Sequence, residues 1–132
     1  INGQTAIAGS EPNKLKREIS KSFKRNQIFE IAFKSSGNQV QVKLSAAKST
    51  EAFIANILAI YFIPEARVEI ERGENSGRVM NYSNIVTKVK NLGQWDAQKP
   101  WRKTILSEPD QNIAVIVQLI GQGKVVAASI LR

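Results

Sequence analysis

The sequence predicts a mainly β fold: an antiparallel β-sandwich of about seven or eight strands, preceded by one N-terminal α-helix. Three observations carry this expectation. Apolar and polar residues alternate with period two through most of residues 28–132, glycine-, asparagine- and serine-rich turn signals separate the alternating runs, and a helical period is confined to residues 10–26. A chain of 132 residues buries roughly two-thirds of its unfolded surface around one core without covalent staples.

The chain opens Ile1-Asn2-Gly3-Gln4. Asn-Gly is a strong hairpin signal because both central residues of a type I′ turn need positive φ. Only Ile1 stands before the pair, while Thr5-Ala6-Ile7-Ala8 suits a return strand. The first half of the hairpin is therefore expected upstream, in a longer protein from which this domain is cut; the alternative reading is a frayed terminal loop. Residues 10–26 read as a helix: Ser10 is placed to cap it, Glu11 and Pro12 suit the first turn, and Leu15, Ile19 and Phe23 recur at i, i+4 and i+8. So narrow an apolar stripe on so short a helix must dock on something, either this domain or the missing part.

Phe29, Ile31 and Phe33 then alternate with polar neighbours, as do Val40, Val42 and Leu44, with Ser35-Ser36-Gly37-Asn38 between them. This is a hairpin with one solvated face. The apolar run from Ala52 to Ile63 reads as a buried strand, Pro64-Glu65 as a bend, and Ala66, Val68 and Ile70, alternating with Arg67, Glu69 and Glu71, as a further strand. Residues 79–92 fit a helical face through Tyr82, Ile85, Val86, Val89 and Leu92, and also a long strand through Met80, Tyr82 and Val86; strand is preferred for its β-branched content. Trp101 to Leu106 is a short strand, and Ile113 to Ile120 and Lys124 to Leu131 flank Gly121-Gln122-Gly123 as a closing hairpin.

Composition excludes several chemistries from these residues. With no cysteine and no histidine, thiol nucleophiles, Cys/His zinc sites and His-centred triads have no residues to build them. Serines lack a histidine to activate them, and no Gly-x-Ser-x-Gly elbow occurs. The acids Glu74, Asp96, Glu108 and Asp110 stand in turn-like contexts with nothing to select a catalytic pair. No apolar stretch reaches the ~20 residues of a membrane-spanning helix. The expectation is a domain without catalytic, cofactor or metal residues.

Two clusters remain. Arg72-Gly73-Glu74-Asn75-Ser76-Gly77-Arg78 crowds both signs of charge into a glycine-containing loop. It is open to three readings: a hard-cation site from Glu71, Glu74 and Asn75, an anion nest from the Gly73 and Gly77 backbone with Arg72 and Arg78, or a tight loop holding its own ion pairs, which is preferred. The second cluster is Lys14, Lys16, Arg17, Lys21, Lys24 and Arg25 on the helix, which with the net charge of +8 invites an anionic partner, nucleic acid or a lipid surface. No aromatic interleaves with these cations, Trp95 and Trp101 flank Lys99-Pro100 at what reads as a sandwich edge, and Phe23, Phe29, Phe33, Phe53 and Phe62 fall on interior positions. A solvated basic face is the preferred reading.

Arg72 to Arg78, followed by Tyr82-Ser83-Asn84-Ile85-Val86 and Leu92-Gly93-Gln94-Trp95-Asp96, resembles the C-terminal half of a bacterial family of uncharacterised exported proteins with a thioredoxin-like N-terminal half; Ile113 to Leu131 is similar to its final hairpin. The resemblance implies that residues 1–27 are the end of the thioredoxin-like domain, its last hairpin strand and closing helix, and that residues 28–132 are a β-sandwich domain packed against it. It also implies a periplasmic or secreted protein whose cysteine pair, if redox-active, lies upstream. The function expected is scaffolding or partner recognition beside that site; the alternative is an anionic partner held by helix residues 14–25.

Overall fold

The computed structural model describes residues 1–23, 29–46, 52–121 and 123–131. The sequence forms α1 (Pro12–Phe23), β1 (Phe29–Ser36), β2 (Gln39–Ala46), β3 (Ala55–Glu69), β4 (Val79–Trp95), β5 (Trp101–Leu106), β6 (Asn112–Leu119) and β7 (Val125–Leu131). Two antiparallel sheets result, one of three strands in the order β1-β2-β5 and one of four in the order β4-β3-β6-β7. The sandwich expected from the alternation is thus the fold, and residues 79–92 are strand.

The two sheets meet through residues that the alternation places inward. Val40, Val42 and Leu44 of β2 face Ala55, Ile57, Ala59 and Tyr61 of β3 and Ile113, Val115 and Val117 of β6, all at most 1% exposed. No polar or charged residue is buried among the described residues. The Tyr61 hydroxyl, at the end of a core side chain, donates to the Leu106 carbonyl at 2.9 Å and so ties β3 to the end of β5 in the other sheet. At one end Phe29, Phe53 and Trp95 pack edge to face with ring centroids 5.2–6.3 Å apart, and the indole N–H of Trp95 donates to the Lys99 carbonyl. Trp95 is therefore an interior anchor and presents no stacking platform.

Three local expectations change. Pro64 does not divide two strands: β3 runs through it for 15 residues. β6 pairs with β3 only as far as Phe62, so Pro64 lies where β3 has a neighbour on one side alone, the place a strand tolerates a residue without N–H. Asn84 stands opposite at φ 55, absorbing the local twist. The helix begins later than expected: the first helical bond runs from the Leu15 N–H to the Glu11 carbonyl, so Glu11 rather than Ser10 holds the cap position and Pro12 is first in the helix. Leu15 is half-buried, Ile19 exposed, and neither belongs to the sandwich core. The Phe23 side chain, Lys24 and Arg25 lie outside the described residues. Phe62, assigned to the interior by its place in the apolar run, is buried but on the outer face of the four-stranded sheet, apart from the core cluster.

The N-terminal Asn-Gly turn forms as its chemistry requires, with Asn2 at φ 48, Gly3 at φ 66 and the Gln4 N–H donating to the Ile1 carbonyl. The turn lies against β7, where the Val125 N–H donates to the Asn2 carbonyl.

Ile57→Ala, which empties a fully buried site, is expected to cost about 2–5 kcal/mol in urea unfolding, whereas Val89→Ala, at a position more than half exposed, changes it by less than about 0.5 kcal/mol. A Cβ on Gly3 would stand 2.5 Å from the Gly123 carbonyl oxygen. Gly3→Ala therefore frees the turn from β7, read as faster exchange of the Val125 amide with the core amides of β6 unchanged.

Candidate functional surface

The surface with functional character is built by β3 and β4, and it depends on two irregularities in their register. Opposite Tyr61–Phe62 the partner moves from Lys88 to Val86, leaving Thr87 as an extra residue, and opposite Ile57–Leu58 it moves from Gly93 to Asn91, leaving Leu92 extra. Such bulges shift which residues share a face. Leu92 turns into the core at 5% exposure. Val86 and Val89, three apart in sequence, pair with Phe62 and Ile60 and share the outer face.

Beyond the end of β6, β3 and β4 continue as a two-stranded ribbon. Along it Val68 pairs with Met80 and Ala66 with Tyr82 on the outer face, while Arg67 pairs with Asn81 and Glu65 with Ser83 on the other. The ribbon is therefore amphipathic. Its apolar face does not enter the core: Val68, Met80, Tyr82, Val86 and Val89 are all between 40% and 57% exposed. The alternation of Ala66 and Val68 identifies the apolar face, but among the described residues no second sheet lies over it. Where the ribbon leaves the sandwich, Phe62, Val86, Ala114 and Ile130 floor an open groove of about 670 Å³ whose polar rim includes Glu65, Asn84 and Asn112. An exposed apolar surface continuous over two strands and a groove is of the kind that marks a contact surface.

The Arg72–Arg78 loop closes the ribbon tip. Gly73 and Gly77 take φ 90 and 80, values that favour glycine. The Gly77 N–H donates to the Ile70 carbonyl at 2.8 Å, the Ile70 N–H to the Arg78 carbonyl at 2.9 Å, and the Ser76 hydroxyl to the Glu71 carbonyl. Arg78 donates to the Asn75 side chain at 3.2 Å. The loop is tight, as expected, but no ion pair joins Arg72, Glu74 or Arg78 among the described residues; backbone and amide bonds hold it. No group of three or more acidic side chains converges among the described residues.

On the helix, Lys14 pairs with Glu11 at 3.1 Å, and Lys21 and Arg17 with Glu18 at 2.6 and 3.9 Å. Lys16 has no ion-pair partner among the described residues. Three of the four described cations thus face local carboxylates.

A polar cluster that sequence reasoning missed joins the base of β4 to the turn before β6. Lys88 pairs with Glu108, and Gln111 donates to the same carboxylate at 3.3 Å. The Thr87 hydroxyl lies within hydrogen-bond reach of the Tyr61 carbonyl and the Gln111 side chain, and the Lys88 and Lys90 ammonium groups stand 5.5 and 5.1 Å from the Tyr61 ring centroid. The hydrogen bond from Lys88 holds the Glu108 carboxyl below its ordinary range; desolvation opposes it, and the charges of Lys88 and Lys90 and the Gln111 bond add to the lowering. Burial raises the Tyr61 phenol, and the Glu108 charge adds to this while Lys88 opposes it. The cluster braces β4 and β3 against the turn that leads into β6. Nothing local in the sequence reports that Lys88 meets Glu108, since the pair spans 20 residues.

The chain is a two-sheet antiparallel β-sandwich with a protruding amphipathic ribbon and an uncovered apolar surface. It belongs to the family of proteins of unknown function DUF1223, whose model matches residues 1–118. Its fold is similar to that of a structural-genomics crystal structure of an Agrobacterium tumefaciens protein, with a TM-score of 0.75 and 20% identity over 98% of this chain. The chain spans 58% of that neighbour's length. No curated protein matches.

Glu108 is expected to titrate below the ordinary carboxylate value of about 4.3 in a carboxyl-carbon NMR titration, and Lys88→Met to return it towards that value. Its folded-state pKa is the lower one, so the stabilisation is present above the ordinary carboxylate range and is lost as pH falls through the depressed value.

Proposed function

We propose that this domain is a non-catalytic recognition module whose outer sheet face docks another folded body. The observation that supports this reading is the continuous apolar outer face from Val68 and Met80 through Val86 and Val89 to Ile130, exposed while the inward residues of β2, β3 and β6 are packed in the core. A surface of this kind gains free energy on being covered, by about 25 cal/mol for each Å² of apolar area removed from water.

The body we propose is the thioredoxin-like half of an exported, periplasmic or secreted protein, with this domain scaffolding or restricting a redox site that lies there. The resemblance of residues 72–96 and 113–131 supports this, as does the greater length of the solved neighbour. Residues 1–27 would then belong to that half, its last hairpin strand and closing helix.

N-terminal sequencing and intact mass of the protein as its own cell makes it are expected to reveal an upstream thioredoxin-sized segment with two nearby cysteines. In that protein the outer face is expected to be covered, so that Val86→Asp with Val89→Asp separates the halves in limited proteolysis while the sandwich core stays protected. A native chain beginning at Ile1, or halves that stay joined in the double variant, would overturn the reading.

A further inference from the structure

We infer that the free edge of β4 is a strand-addition site for an extended polypeptide segment in which acidic and apolar side chains alternate. β4 is 17 residues long, contains no proline and, among the described residues, pairs with β3 alone, so along its other edge N–H and C=O groups have no strand partner among them. Sheets protect such an edge by making it short, by proline, lysines or bulges, or by covering it; β4 carries two lysines and two bulges, but it is long, free of proline and regularly paired from Val79 to Val86. The opposite edge of this sheet is covered: β7 lies beside β1, and the Val125 N–H is taken by Asn2. Among the described residues nothing comparable covers β4 between Val79 and Val89; its contacts with the second sheet begin nearer the far end, where Lys103 donates to the Leu92 carbonyl at 2.7 Å.

The side chains flanking the edge define the occupant. A strand laid beside β4 sends its side chains alternately to the two faces. On the outer face they would meet Val86 and Val89, both more than half exposed. On the other they would meet Lys88 and Lys90, which pair with Tyr61 and Ala59. These lysines are the only charges in β4, and Lys90 has no ion-pair partner among the described residues. The complementary segment carries apolar residues on one face and carboxylates on the other. Main-chain bonds supply the general affinity and the two rows of side chains the selectivity, as in other strand-addition complexes. A second copy of this chain is disfavoured by charge, since it would bring two bodies of net charge +8 together.

The inference concerns the hydrogen-bonding edge and shares Val86 and Val89 with the proposed outer-face contact, so the two are told apart by which amides of β4 become protected. It is tested with the full chain and a capped nonapeptide of alternating Glu and Val. Three controls accompany it: a scrambled peptide, one with Lys in place of Glu, and one N-methylated on the amides of one edge. Amide exchange by NMR is expected to slow in those β4 amides that do not bond to β3. The scrambled, Lys-containing and N-methylated peptides are each expected to bind at least tenfold more weakly, and Lys90→Glu to reverse the preference between the Glu and Lys peptides. Equal binding of the N-methylated peptide would overturn strand addition, and equal binding of the Lys peptide would overturn the acidic occupant. Protection confined to the outer faces of β6 and β7 would also overturn it, while leaving the outer-face reading intact. If the β4 edge amides are protected before peptide is added and the mass doubles, the occupant is a second copy and the inference fails.

Discussion

Everything in this domain hangs on β3, the strand that must satisfy two neighbours and two faces at once. Over Ala55–Phe62 it is bonded to β4 on one side and β6 on the other, and its inward residues are wholly enclosed. A strand bonded on both edges cannot slip by one residue without turning Ile57 and Tyr61 to the outer face, so its register fixes those of its neighbours. Tyr61 then joins the sheets: its ring fills the core and its hydroxyl reaches the Leu106 carbonyl, leaving no unsatisfied polar atom at that point.

The same strand creates the exposed surface. Because β6 ends opposite Phe62 while β3 continues to Glu69, the last turns of the β3–β4 pair have no sheet to pack on. Their side chains keep the alternation of a half-buried strand, which is why the ribbon has an apolar face at all. The bulges at Thr87 and Leu92 align Val86 and Val89 with that face and free Lys88 and Lys90 for the other. The Lys88–Glu108 pair, exposed as it is, contributes little to stability by itself; its effect is to hold the turn before β6 against the base of the ribbon.

Most of the strands were legible in sequence because period-two alternation reports a physical fact, that one side of a strand is drier than the other. Val40, Val42 and Leu44, or Ile113, Val115 and Val117, show this directly. The Asn2-Gly3 turn was legible because few residue pairs tolerate positive φ twice in succession. Pro64 misled because it is a breaker only where both edges of a strand are bonded, and the length of a neighbouring strand is not written locally. Ser10 misled because residue type marks a cap only to within a residue, and Pro12 at the first helical position puts Glu11 there. The Arg72–Arg78 loop was visible as a tight turn, but the bonds that close it run to backbone groups that charge counting does not weigh.

By itself the sequence determined the two-sheet β class, the turn at Asn2-Gly3, the inward residues of β2 and β6, and the lack of thiol or imidazole chemistry in these residues, since each follows from residue type and local spacing. Only the tertiary structure decided that Val68, Met80, Tyr82, Val86 and Val89 lie on one exposed face, that Phe62 is buried outside the core, and that Lys88 meets Glu108. Those outcomes depend on where β6 stops and where β4 bulges, and strand pairing between distant segments sets both. Alternation states which side of a strand is apolar; what covers that side is a property of the assembled sheets.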